Sequence, residues 1–367
     1  MIKGLYIHIP FCNIKCPYCD FTSITLYDEN IFKSYIEILK KELTFYQNEN
    51  IKFETVYFGG GTPSILRTDY IEEILNFIRN NFNVIKNPEI TLEVNPKTYR
   101  YEDFSHLREI GVNRVSIGSQ SFLEKNLKLL GRNHLAEDTF ETVEDTLKAG
   151  IKNINLDLIY GIQGQSLKEL EKDLEIYTSL EITHISAYML TAYNETPLGK
   201  LVKKGEFKLP TDEELEAMYF FIIKFLKEKE FYHYELSNWA KEGYECKHNL
   251  FYWENVNFLG IGVSAWSYVG NVRFGNTKNL FEYMEKVKDG VKPVLFREEL
   301  RERDLINERI MLGLRLTKGI DKNLIKNKQN LIEELKNEKL IEEVRGKIKL
   351  SPKGFLLSNY IISKLLD

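Results

Sequence analysis

The chain has 367 residues and a formal charge of −4, so it lacks the basic footprint that a nucleic-acid binder normally shows. Its 43% hydrophobic and 28% charged residues fit an ordinary folded protein, long enough for one large domain and a smaller one. No apolar run approaches the ~18 residues of a membrane span, and four unevenly placed cysteines argue against a disulfide framework and for a reducing, cytoplasmic setting.

The first strand-like run, GLYIHIP (4–10), follows an apolar opening too short for a signal peptide. It leads into FCNIKCPYC (11–19), where Cys12, Cys16 and Cys19 are spaced C-x3-C-x2-C. A disulfide would leave an odd thiol. A glutaredoxin-like pair at CPYC would open a long helix, yet Asp20 to Thr25 is rich in β-branched and hydroxyl residues and Cys12 would have no purpose. A structural zinc needs a fourth ligand, and the one nearby candidate, His8, alternates with Tyr6 on an apolar strand. A cubane iron–sulfur cluster on three thiolates leaves one iron without a protein ligand. That open iron can accept the amino and carboxylate groups of S-adenosylmethionine, whose sulfur–carbon bond one electron can break. The cluster is the preferred reading, with the redox pair and zinc as alternatives.

Further strand-like runs follow: FETVYFGG (53–60), EITLEVN (89–95), VNRVSIG (112–118), NINLDLIYG (153–161) and ITHISAYML (182–190). Amphipathic stretches such as 31–43, 69–82 and 166–180 lie between them. Six β-then-α units predict a parallel sheet with helical crossovers, either a partial (β/α)6 barrel or an open doubly wound sheet. The polar residues favour the α/β barrel, because they fall at the C-terminal ends of successive strands. These are the cysteine loop, Gly59-Gly60-Gly61-Thr62, then Glu93 with Asn95, Gln120 and Asp157. Each alone reads equally well as a cap or turn. The glycines let backbone N–H groups approach a ligand, but they form no P-loop, and no G-x-G-x-x-G follows the first strand.

With these residues in place, the chain resembles the radical S-adenosylmethionine superfamily, and within it the branch of oxygen-independent coproporphyrinogen III oxidases and HemW-type heme chaperones. The resemblance runs from Tyr6 to about Ser267 and extends to the C-terminal part. It implies a [4Fe-4S] cluster on Cys12, Cys16 and Cys19, with Tyr6 and Tyr18 beside the cofactor. Gly60, Gly61 and Thr62 would meet the methionine amino group, and Glu93, Gln120, Arg132 and Asp157 match the remaining cofactor contacts. Arg132 suits the methionine carboxylate, because a guanidinium binds carboxylates with two parallel bonds. Gln120 and Asp157 are assigned to the ribose. The oxidases resemble C-x3-C-x2-C-x-C with a longer leading segment, whereas position 21 here is Phe21 and little precedes the first strand.

HNLFYW (248–253) fits the H-N-x-x-Y-W signature of the heme chaperones. A neutral imidazole is a common axial ligand of heme iron, so the resemblance implies heme contacts at His248, Asn249, Tyr252 and Trp253, with Cys246 as a second candidate ligand. Without the family, a buried structural histidine is the better reading. No C-x-x-C-H occurs for thioether attachment. Trp266 stands where relatives often have histidine, and Gln163 where they often have proline.

After about residue 296 the β-α alternation stops. Helical patterns at 302–316 and 330–340 precede a turn at Arg345-Gly346 that resembles a winged-helix wing. Its basic excess is too small for DNA, and a lid or docking surface is preferred. The expected divisions are 1–235 for the barrel, 236–295 for a connecting segment with the heme motif, and 296–367 for a helical, winged-helix-like domain. The function expected is a cytoplasmic heme chaperone that passes heme to an acceptor protein, with an electron donor such as flavodoxin or ferredoxin and no residue assigned a catalytic role. The alternative is a radical enzyme such as a coproporphyrinogen oxidase.

Overall fold

The computed structural model describes residues 1–366. Six strands carry the barrel: β1 (Ile2–Ile9), β2 (Ile51–Gly60), β3 (Val84–Val94), β4 (Arg114–Gln120), β5 (Asn153–Tyr160) and β6 (His184–Met189). They pair in chain order and in parallel throughout. Parallel neighbours need crossovers, and helices Glu29–Thr44, Thr68–Asn81, Tyr101–Glu109, Ala136–Lys148 and Leu167–Ser179 supply them. Covered on both sides, β4 is buried at every residue.

The crossover helices follow from local rules. Asp28 caps the first by accepting from Ile31 N, and Phe32, Tyr35, Ile36, Leu39 and Leu43 then repeat at helical spacing on its buried face. Ser166 and Glu169 form a reciprocal cap at the start of Leu167–Ser179.

The barrel does not close. Beyond β6 lie the antiparallel strands β7 (Tyr232–Glu235) and β8 (Asn238–Ala240). On the other side β9 (Phe258–Ile261) runs parallel to β1, followed by β10 (Trp266–Val269), β11 (Val272–Asn276) and β12 (Val294–Glu299). The sheet order is β12-β11-β10-β9-β1-β2-β3-β4-β5-β6-β8-β7. Residues 236–295 therefore supply β8 to β11 of this sheet. Buried Glu42 ties the first crossover helix to that extension, accepting from Asn276 Nδ2 at 2.6 Å, Gly262 N at 2.8 Å and Tyr283 OH at 2.6 Å.

The C-terminal part begins with helix Glu302–Gly313 and continues as β13 (Ile320–Asp321), helix Gln329–Asn337, β14 (Ile341–Val344), β15 (Lys347–Leu350) and helices Pro352–Leu356 and Ser358–Leu365. Its small sheet has the order β13-β15-β14. The expected wing turn is present: Arg345 and Gly346, both left-handed, join β14 to β15 as a two-residue hairpin. This part docks on β7, where Leu316 bridges Glu235 and Thr317 N donates to Tyr234 O at 3.1 Å. Among the described residues no helix is long and apolar enough to cross a membrane.

Candidate functional site

The C-terminal ends of the strands surround a cavity of about 1190 Å³. One wall is the loop after β1, pinned where it leaves and returns by Cys12 N to Ile24 O at 3.0 Å and Ile24 N to Pro10 O at 2.7 Å. CPYC forms a turn closed by Cys19 N to Cys16 O at 3.1 Å, not the start of a helix, so the geometry of a glutaredoxin-like pair is missing. His8 is equally unsuited to zinc, because its ring nitrogens already face Tyr6 OH at 3.1 Å and Thr22 O at 2.9 Å.

Cys12 and Cys16 are buried, Cys19 is half-buried, and all three are free thiols on the cavity wall. Thr62 Oγ1 donates to Cys12 Sγ at 3.5 Å and Arg132 Nη1 to Cys16 Sγ at 3.6 Å. Burial pushes the Cys12 and Cys19 thiols up, so a thiolate here calls for a cation to offset its desolvation. Among the described residues no three Cys, His, Asp or Glu side chains close on one point as a single ion requires. Three thiols spread along one loop beside a roomy cavity fit the corners of a polynuclear cluster instead.

The cofactor residues expected from the sequence meet on the same cavity: Tyr18, Gly60, Gly61, Thr62, Glu93, Gln120, Arg132 and Asp157 all line it. Gly60 has φ +113°, and a Cβ there would stand 2.6 Å from the His8 imidazole, so only glycine carries the chain past this point. Glu93 accepts from Tyr57 OH at 2.9 Å and Gly60 N at 3.1 Å, and burial pushes its carboxyl up to about 7. Asp157 accepts from Asn155 Nδ2 at 2.8 Å and is raised to about 6 by burial. Arg132 Nη2 donates to Gly118 O at 2.8 Å, while its buried Nε has no partner. Among the described residues no carboxylate pairs with this guanidinium, which leaves it free for a ligand carboxylate. Tyr6 lies outside the cavity wall, stacked on Tyr57 one layer deeper in the barrel, with ring centroids 6.1 Å apart.

HNLFYW sits elsewhere. It forms helix Lys247–Trp253, whose first N–H groups are held by Glu89: Lys247 N at 3.1 Å and His248 N at 3.0 Å. Thr55, Glu89 and Arg114 lie four residues before Gly59, Glu93 and Gly118 on β2, β3 and β4. At ~3.3 Å per residue this layer is about 13 Å below the cofactor layer. His248 reaches up into it, buried, with Nδ1 at 2.7 Å from Thr55 Oγ1 and Nε2 at 2.8 Å from Tyr252 OH. Burial, helped by the Arg114 charge, pushes this imidazole down to about 3, so it is neutral. Cys246 Sγ faces Glu89 at 3.7 Å, and burial pushes its thiol up to about 12. Asn249 and Trp253 are half-buried, and the Arg315 guanidinium lies 5.6 Å over the Trp253 ring.

Residues 6–176 match the radical SAM superfamily and residues 300–357 the HemN C-terminal domain. The chain is 34% identical to the heme chaperone HemW of Lactococcus lactis subsp. lactis (strain IL1403), over 99% of this chain and 97% of the relative. It is 32% identical to the heme chaperone HemW of Bacillus subtilis (strain 168), over 100% of this chain and 99% of that one. The chain belongs to the HemW family. The solved structure of coproporphyrinogen III oxidase (HemN) from Escherichia coli, a radical SAM enzyme, superposes with a TM-score of 0.86 over 100% of this chain and 90% of the oxidase. At 22% identity that likeness shows the fold alone.

Three residues that shape the site were given no cofactor role in the sequence reading. Asn95 joins Thr62 to Arg132 and lines the cavity. Arg114 places a buried positive charge beside Glu89 and Cys246, inside the barrel. Arg315 brings the C-terminal part to the cavity wall. Asn95 had a signal, as a polar residue just past an apolar strand. Arg114 had a weaker one, a cation at the start of VSIG; Arg315 had none.

Proposed function

We propose that this chain is a heme chaperone that binds heme and hands it to an acceptor protein. Its barrel would hold a [4Fe-4S] cluster on Cys12, Cys16 and Cys19 and S-adenosylmethionine on Tyr18, Gly60, Gly61, Thr62, Glu93, Gln120, Arg132 and Asp157. The observation that carries the cofactor assignment is the convergence of three free thiols and an unpaired guanidinium, Arg132, on one cavity. The likeness to HemW chaperones over nearly the whole length supports the chaperone role. When bound, the cluster and the sulfonium cofactor supply one-electron chemistry, fed by a donor of the flavodoxin or ferredoxin class.

The chain's own residues do the positioning. Arg132 binds the cofactor carboxylate, the backbone at Gly60 and Gly61 receives the amino group, Gln120 and Asp157 meet the ribose, and Glu93 adds a buried carboxyl beside Gly60. His248, with Asn249, Tyr252 and Trp253, is the proposed heme contact. Both its ring nitrogens are engaged, so ligation requires Thr55 and Tyr252 to release it. The oxidase alternative is disfavoured by Phe21, an exposed side chain where a fourth thiol would stand.

The test is an anaerobic absorbance and EPR titration of the reconstituted chain with S-adenosylmethionine and then heme. A cluster signal altered by the cofactor, and a Soret band that shifts to that of holomyoglobin when apomyoglobin is added as a heme sink, are expected. Decarboxylation of coproporphyrinogen with no Soret band would end the chaperone reading.

A further inference from the structure

The cavity extends beyond the residues proposed for the cofactors. At about 1190 Å³ it exceeds the roughly 300–1,000 Å³ of a small-molecule pocket. The proposed cluster and S-adenosylmethionine contacts all come from β1 to β5 and the loops that follow them. Past β5 the wall continues over Tyr188 and Met189 at the end of β6, Leu236 in the turn after β7, and Phe355 and Leu356 of the C-terminal part. None of these has a role in the cofactor assignment. Tyr188 and Met189 are each 43% exposed, unusually open for large apolar side chains facing inward.

Among the described residues Arg315 is the single charged side chain on this half of the wall. Its Nη2 donates to Asn359 Oδ1 at 3.0 Å, its buried Nε has no hydrogen-bond partner, and the buried Glu235 carboxyl that acts on its charge lies beyond ion-pair distance. The bridge between Leu316 and Glu235, with Thr317 N bonded to Tyr234 O, fixes its position. A guanidinium with an unused donor among large apolar side chains, with the neutral polar groups Ser237, Ser358 and Asn359 on the same wall, suits a broad, apolar ligand with a carboxylate at its edge.

We infer that this half of the cavity is a tetrapyrrole subsite in which Arg315 binds a propionate. The inference rests on the heme-chaperone reading and deepens it. It gives heme a place while His248 is still held by Thr55 and Tyr252. The Trp253 ring under the Arg315 guanidinium then links this subsite to the HNLFYW helix.

The test uses the full chain, reconstituted anaerobically, with heme and heme dimethyl ester as probes. The variants are Arg315→Gln, Leu356→Trp, which fills the chamber, and His248→Ala. Arg315→Gln is expected to weaken heme binding roughly 10- to 100-fold, the worth of a charge-assisted hydrogen bond, and to leave ester binding unchanged. Leu356→Trp weakens both probes. Neither variant changes iron content or the EPR response to S-adenosylmethionine, which reports that the fold is intact. Wild-type affinities for heme and ester that are equal overturn the inference, as does heme binding lost only in His248→Ala. A wild type that shows no Soret band at all overturns the chaperone reading itself, and the subsite with it.

Discussion

Arg132 and Asn95 are joined across the cavity: Nη2 donates to Oδ1 at 2.7 Å, and Asn95 Nδ2 donates in turn to Thr62 Oγ1 at 3.0 Å. One carboxamide thus orients both the guanidinium proposed for the cofactor carboxylate and the hydroxyl beside Cys12. Asn95→Ala removes both bonds and lets Arg132 drift. The expected result is a roughly tenfold loss of S-adenosylmethionine affinity with iron content unchanged, measured by titrating the EPR perturbation. Unchanged affinity would mean that Gly118 and Cys16 hold Arg132 without Asn95.

The cysteine assignment separates cleanly. Serine at Cys12, Cys16 or Cys19 is expected to abolish the broad visible absorbance after anaerobic reconstitution and to lower bound iron and sulfide to background. Cys246→Ser keeps a donor toward Glu89 and is expected to take up iron as wild type does. Iron retained without Cys19, or lost without Cys246, would relocate the cluster.

The parallel strands and the cysteine loop were legible because their signals are local: continuous β-branched runs, glycines at strand ends, three thiols in eight positions. What the sequence hid is long-range. Asn95 and Arg132 are 37 residues apart, and Thr55 and His248 are 193 apart. HNLFYW shows residue types suited to heme, yet nothing local says that Glu89 will hold its helix at the barrel floor, about four strand residues below the cofactor layer. Arg315 reaches the cavity only through the docking of the C-terminal part on β7, a contact with no pattern in the chain.

Stability should vary little with pH between about 5 and 8 in the ligand-free chain, because two buried sets oppose each other. Burial pushes Glu42, Glu93 and Glu235 up to about 7 and Asp157 and Asp173 to about 6. The native state holds those protons longer than the unfolded chain, so the stability they lend is lost as pH rises through 6–7. Burial lowers His8, His134, His184, His233 and His248, with His8, His134 and His233 at about 4. The native state refuses protons that unfolded imidazoles accept near 6.5, so their contribution is lost as pH falls below that value. Five groups of each kind nearly cancel. Above about pH 9 the buried tyrosines and the Cys12 and Cys19 thiols, all raised, titrate only on unfolding, and stability should fall. Urea midpoints from pH 5 to 10 test this; a steep slope between about 5 and 6.5 would show that one set titrates normally in the native state.

His248 carries structural weight whatever its part in heme binding. Alanine there removes two buried hydrogen bonds and a ring stacked on Tyr57 at 5.1 Å, and leaves the Thr55 hydroxyl without that partner. The expected cost is about 2–4 kcal/mol. At ~1.3 °C per kcal/mol for a 367-residue chain, Tm should drop by roughly 3–5 °C. Thr55→Val, which removes one of the two bonds and keeps the shape, should cost about 1–3 kcal/mol while leaving the imidazole in place. Comparing the two separates the roles. If Thr55→Val frees His248 and heme binds more tightly despite the lower Tm, the Thr55 bond is the latch that restrains the ligand. If heme affinity and Tm fall together in both variants, the histidine acts on heme only through the fold.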